Sequence, residues 1–313
     1  MKEINDFYTF LKSQQTAQSY LQQCYENIEV VDAEAKSYKN CSAFIYYLDH
    51  GNRFYENGKR LDMFAQPVLY FYGMVHLLKA CLLTKRPDYP ESTSLLSHGV
   101  TARKRKRKNY TFMDDEVKVQ QNGLFPYFST HLFAKNKLPF EKVKMVDLFA
   151  LIPEMNTLFD FQKKGKLIQV GVIHSKLLQF PSYLLDSHHL TANAFIQRIK
   201  VYLPEIKYTD IDNSAISMEL MSPLTRVDGP FFKHKNGKIF FPIHRENFLP
   251  LSEVMVHYLL LYNLSMLCRY DAEWWGDLLV TKPDIDFPFI AQFIEQSAEK
   301  IPLLLGEEIF NSV

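Results

Sequence analysis

The 313-residue chain lacks the short motifs that mark common catalytic centres. It has no Gly-x-x-x-x-Gly-Lys-Ser/Thr loop and no Gly-x-Gly-x-x-Gly, so the backbone cradle for nucleotide phosphates is missing, which argues against nucleotide hydrolysis. The absence of His-Glu-x-x-His and Gly-x-Ser-x-Gly argues likewise against simple zinc hydrolysis and serine-esterase chemistry. Its four cysteines, Cys24, Cys41, Cys81 and Cys268, include no Cys-x-x-Cys and no metal-knuckle spacing. Cys81 and Cys268 fall in apolar helical patterns, where a thiol packs as a small hydrophobe, and a reducing compartment is the simplest setting. His188-His189 has no third ligand nearby and reads as a loop pair, so no metal or cofactor is expected. "MKEINDFYTFLKSQQ" lacks the apolar centre of a signal peptide. The longest apolar run, "VMVHYLLLYNLSMLC" at 254–268, is interrupted by His257, Asn263 and Ser265 and falls short of the ~20 residues of a spanning helix. The expectation is a cytoplasmic protein with no transmembrane segment. No internal repeat is visible at a fixed period.

What the chain does have is apolar mass, 47% hydrophobic with 14% aromatics, enough for a substantial core in one large domain or two modest ones. Its net charge is only +1, yet "LLSHGVTARKRKRKNYTF" at 95–112 carries six consecutive cations, Arg103, Lys104, Arg105, Lys106, Arg107 and Lys108. Without them the remainder holds 30 Lys+Arg against 35 Asp+Glu, a net −5. The positive charge is a local feature on a mildly acidic body.

Hydrophobic spacing predicts helices over 3–26 and 34–57, with Asn57-Gly58 as a stop. The segment 64–83 repeats Phe64, Val68, Phe71, Val75, Leu78 and Leu82 at helical spacing, and Pro67 suits its first turn. A second row, Tyr72, His76, Lys79 and Leu83, makes it apolar on more than one side and therefore central. Helical segments are expected near 124–134 and 143–162, the latter divided at Pro153. From there strand patterns appear: "KLIQVGVIH" at 166–174, "NSAISMEL" at 213–220, and a hairpin in "GPFFKHKNGKIFFPI" at 229–243 with Asn236-Gly237 as a type I′ turn. Thr191 caps a helix over 190–203. Helices return after Ser252 and after Asp286. The expected fold is α+β and predominantly α-helical. A core from 1–162 is closed by C-terminal helices at 251–313, with a small α+β insertion at 163–250.

The strings "QPVLYFYGMVHLLKACLL", "SHGVTARKRKRKNY", "DDEVKVQQNGLFPYF" and "VHYLLLYNLSMLCRYDAEWWGDLL" resemble the YaaC-like proteins of Bacillus and relatives over nearly the whole chain. The resemblance implies a bacterial cytosolic protein and carries no particular activity with it. The "YFYGMVHLLKA" helix followed by "SHGV" is also similar, at superfamily level, to the HEPN helical domains, many of which bind or cleave RNA. Active HEPN members carry an Arg followed by four to six residues and a His. That spacing is absent here: Arg226 and His234 have seven residues between them, and Arg86 is too far from His98.

The basic run is the strongest functional signal. Six adjacent cations resist burial and sit in solvent or on a partner, and six duplex phosphate contacts give a log–log salt slope of about −5. Tyr110 beside the run offers a stacking platform for unpaired bases. The partner expected is nucleic acid, RNA before DNA, or another polyanion. Against it, the acidic Asp114, Asp115 and Glu116 could fold back and neutralise the run. His98, kept neutral among cations, is a candidate general base, or it serves only to hydrogen-bond the loop while Gly99 supplies a positive φ. Tyr72, His76, Lys79 and His98 form a possible anion pocket, or a satisfied polar seam between helices. In "CRYDAEWW", Arg269 suits a cation–π contact with a tryptophan or a carboxylate bond at a helix end. Two alternatives to polyanion binding stay open: a HEPN-like ribonuclease with a non-standard active site, and a protein–protein module docking an acidic partner.

Overall fold

The computed structural model describes residues 2–102 and 110–312, so the run Arg103–Lys108 lies outside the described residues. The chain divides into two compact units, Met1–Met145 with His257–Val313, and Val146–Val256. The predominantly helical α+β class stands, with twelve α-helices and two antiparallel sheets among the described residues.

The first unit opens with α1 (Lys2–Phe10), α2 (Gln14–Asn27), α3 (Ala33–Arg60) and α4 (Gln66–Lys85). The helix expected over 3–26 is broken in two because the Ser13 hydroxyl accepts the Thr16 N–H at 3.2 Å and starts a new helix. Asn57-Gly58 does not stop α3, which runs on to Arg60. Gly58 is there for space, since a Cβ would strike the Tyr70 ring. Likewise a Cβ at Gly51 would sit 2.7 Å from Leu77, and one at Gly73 2.9 Å from Tyr55. These three glycines let the α3 and α4 backbones approach closely. α4 is long and apolar enough to cross a membrane, the only such helix among the described residues, but 72% of its apolar window is buried inside the protein.

A small sheet follows, β1 (Val100–Ala102), β2 (Glu116–Val119) and β3 (Lys142–Lys144), all antiparallel. β3 is extended where the spacing predicted the start of a helix, because Val143 pairs with Val117. α5 (Leu124–Phe133) lies between β2 and β3 in sequence. α10 (Glu253–Tyr270), α11 (Ala272–Thr281) and α12 (Asp286–Phe310) complete this unit apart from the first turn of α10. Tyr20 donates to the Ile309 carbonyl at 2.6 Å and Tyr8 to that of Pro302 at 3.2 Å, tying the first helices to α12.

The second unit contains α6 (Met145–Phe149, shared at its first residue), α7 (Asn156–Phe161), α8 (Tyr183–His188) and α9 (Ala192–Ile199) beside a six-stranded sheet. Its strands are β4 (Leu167–Val172), β5 (Leu177–Pro181), β6 (Ile206–Ile211), β7 (Ala215–Leu220), β8 (Phe232–Lys233) and β9 (Lys238–Pro242), in the order β6-β7-β5-β4-β9-β8. Phe180 of β5 and Phe241 of β9 share a buried cluster with Leu184 of α8, Phe195 of α9 and Phe231 of the segment before β8. The Thr191 cap is in place, accepting the Ala194 N–H at 3.4 Å. The hairpin exists with a different turn. Gly237 alone has positive φ, at +84°, and its N–H meets the His234 carbonyl at 2.8 Å while His234 N–H meets Lys238. A type I′ turn needs positive φ at Asn236 too, so this is a type I turn with a bulge glycine.

Candidate functional site

Among the described residues, no group of three His, Cys, Asp or Glu is placed to hold a metal ion. The four cysteines are free. His188 is buried with Nε2 3.0 Å from the Pro242 carbonyl, and His189 takes a left-handed φ of +54° to end α8. A cleft of about 480 Å³ lies between β4 and β5, lined by Gln169, Gln179 and Ser214 among apolar neighbours, with no titratable side chain on its walls.

The notable surface lies on α4. Tyr72, His76 and Lys79 share one face, each half-buried, at the i, i+4, i+7 spacing of a helix. α3 brings Tyr47, His50 and Phe54 against His76, with ring centroids 5.9, 5.4 and 5.7 Å away. Lys79 Nζ sits 5.6 Å from the Tyr47 ring centre. His98 joins from the segment before β1, its ring 4.9 Å from Phe71, 6.0 Å from Tyr72 and 5.7 Å from Tyr262. Its backbone is fixed as well. The His98 carbonyl accepts from Tyr258 Oη at 2.9 Å and from Phe125 N–H at 3.1 Å. Gly99 turns the chain with φ +74°, where a Cβ would meet Pro126 at 2.6 Å.

The sequence reading missed one member, Arg269 of α10. Its guanidinium donates to Tyr72 Oη at 3.1 Å and to the Ser265 carbonyl at 3.0 Å, and lies 5.7 Å from the Tyr72 ring centre and 4.9 Å from that of Tyr270. Its aromatic partners are thus tyrosines, while Trp275 is buried with Nε1 donating to the Phe64 carbonyl at 3.1 Å.

Electrostatics follow from this crowding. Burial lowers the His98 pKa first, and Arg269 and then Lys79 lower it further, so burial outweighs the cations in keeping the imidazole neutral. His76 falls to about 4, through burial, Lys79 and His50, and its Nδ1 is buried without a hydrogen-bond partner. Burial also lowers the Lys79 pKa.

The described segments on either side of the basic run are tied to the rest of the unit. On the upstream side Thr101 and Ala102 of β1 pair with Lys118 and Val117. On the downstream side Tyr110 donates to Asp115 at 2.9 Å and packs edge-on against Trp274 at 5.2 Å. Phe112 and Met113 donate their N–H groups to the buried Asp286 carboxylate, the latter at 3.1 Å. Asp115 also accepts from Asn263 at 3.1 Å, and Asp114 faces Lys144 at 3.5 Å. Asp114 and Asp115 therefore have partners of their own.

The class of protein so defined is a helix-dominated α+β chain with a cationic, aromatic-walled face and free thiols. Residues 9–309 match the family of YaaC-like proteins, and the chain belongs to that family. No curated protein and no solved structure matches it.

Proposed function

We propose that the chain binds RNA or another polyanion through Arg103–Lys108, in the cytoplasm, with the His98 face at the upstream edge of the contact. The supporting observation is that both flanks of the run are tied to buried structure, while Asp114 and Asp115 are engaged with Lys144, Tyr110 and Asn263. Anchored flanks present six charges from a fixed base, which lowers the ordering cost of binding. Tyr110 acts chiefly as a downstream post, because its hydroxyl and one ring edge are engaged by Asp115 and Trp274.

Fluorescence anisotropy with single-stranded RNA across a salt series tests this. Six phosphate contacts give a log–log slope of about −4 on a single strand, and changing all six cations to Gln brings it close to zero. Salt-insensitive association, or no association at low salt, overturns the proposal. The ribonuclease alternative is read in the same samples as cleavage lost in His98→Ala. Capture of an acidic protein without RNA binding would favour the interaction module.

A further inference from the structure

Buried charge needs compensation, and elsewhere in the first unit cations find it. The partly buried Lys36 meets Asp88 at 2.7 Å, and the partly buried Arg86 bonds Glu91. Lys79 and Arg269 are different. Both are half-buried, and their partners among the described residues are phenol rings, the Tyr72 hydroxyl, the Ser265 carbonyl and the Met266 sulfur, with no carboxylate. The groups facing His98 are Phe71, Tyr72 and Lys79 from α4, and Tyr262 and Arg269 from α10; none is acidic. Around His76 stand Tyr47, His50, Phe54 and Lys79, again with no acid. The face holds two fixed positive charges beside the His98 and His76 imidazoles, which burial first and neighbouring cations second keep from protonating. An anion compensates the two charges and offsets the part of the imidazole shift that those cations cause.

We propose that this face is a subsite for a phosphate dianion, free or as a terminal monoester, seated at His98 between Arg269 and Lys79. The charge selects the ligand class. Two fixed cations balance a dianion, whereas a phosphodiester carries one charge and leaves one cation uncompensated. The geometry favours it too. Arg269 is held at three points, through Nε to Ser265, Nη1 to Tyr72 and Nη2 to the Met266 sulfur, so its remaining donors are oriented before a ligand arrives. The rings of Phe71, Tyr72 and Tyr262 stand against His98, and the low polarity of such a wall strengthens each charged contact. His98 takes up a proton as the anion binds and becomes a third donor. In its nucleic-acid form the inference rests on the polyanion reading: β1 leads directly from this face to Arg103, so a strand lying along the run brings its end here.

The test is an NMR titration of the full chain, its histidines labelled at Cε1, with inorganic phosphate at constant ionic strength. His98 is assigned with His98→Gln. The expected result is a saturable shift of the His98 signal, with its protonation midpoint raised so that phosphate binds the protonated form at least about tenfold more tightly. Lys79→Gln and Arg269→Gln each weaken binding about tenfold or more, and Arg269→Lys restores part of it. An unmoved His98 overturns the subsite, as does wild-type titration by both Gln variants. Repeating the titration with the six run positions changed to Gln separates the two proposals. A retained His98 shift supports the subsite, and a lost one places the anion on the run and overturns it. Finally, 5′-phosphorylated and 5′-hydroxyl RNA of one sequence are compared. Tighter binding of the phosphorylated strand assigns the dianion to a nucleic-acid end, and equal binding with the phosphate titration intact assigns it to free phosphate.

Discussion

Asp286 is a fully buried carboxylate at the start of α12, and it accepts the N–H groups of Phe112 and Met113. Burial is the main reason its pKa rises from 3.8 to about 6; the two N–H bonds oppose the rise, and the neighbouring Asp284 and Asp114 add to it. The folded protein therefore holds the proton more tightly than the unfolded chain. Stability from this group is fully present below the unfolded value and is lost as pH rises through about 6. Holding the carboxyl at about 6 rather than 3.8 corresponds to about 3 kcal/mol in all, of which about 2.4 kcal/mol falls between pH 4 and pH 7. Asp286→Asn keeps the shape and removes the titration. Denaturant unfolding of both proteins, followed by tryptophan fluorescence, reports on the right unit, because the two tryptophans sit at 274 and 275. The stability of the wild type minus that of the variant is expected to fall by about 2.4 kcal/mol from pH 4 to pH 7.5. A difference constant across that range refutes the argument, since all other titrating groups cancel in the subtraction.

Two further perturbations read the packing. Gly73→Val forces a side chain against Tyr55 and Phe54 and is expected to cost about 2 kcal/mol in the fluorescence-detected transition. Thr191→Ala removes the cap of α9 and is expected to cost about 1 kcal/mol, seen as faster amide exchange in 192–199 with the tryptophan transition unchanged.

The long helices were legible because their apolar spacing sustains itself over four or more turns, as in α4 with Phe71, Val75, Leu78 and Leu82. β5 and β6 were not. β6 is an edge strand with Lys207, Tyr208, Asp210 and Ile211 exposed, so it shows no alternation to read. The Tyr72, His76, Lys79 row was visible as a helix face, and His98 stood out beside the run. Arg269 could not be assigned to that face, because its bond to Tyr72 spans 197 residues and nothing local points there. The Asp286 tie to Phe112 was hidden for the same reason, across 174 residues.

The first unit is built from the two ends of the described chain, and this bears on its synthesis. α4 has its apolar faces ready once residue 85 has left the ribosome, but α12 and all but the first turn of α10, which cover it, follow the whole second unit. At about 5–20 residues per second, the stretch from 146 to 310 takes roughly 8 to 33 seconds to emerge. During that interval Phe71, Leu78 and Leu82 lack part of the surface that later buries them. The nascent chain is then a natural client for chaperones that hold exposed apolar helices, and slowing translation across 146–256 lengthens that dependence.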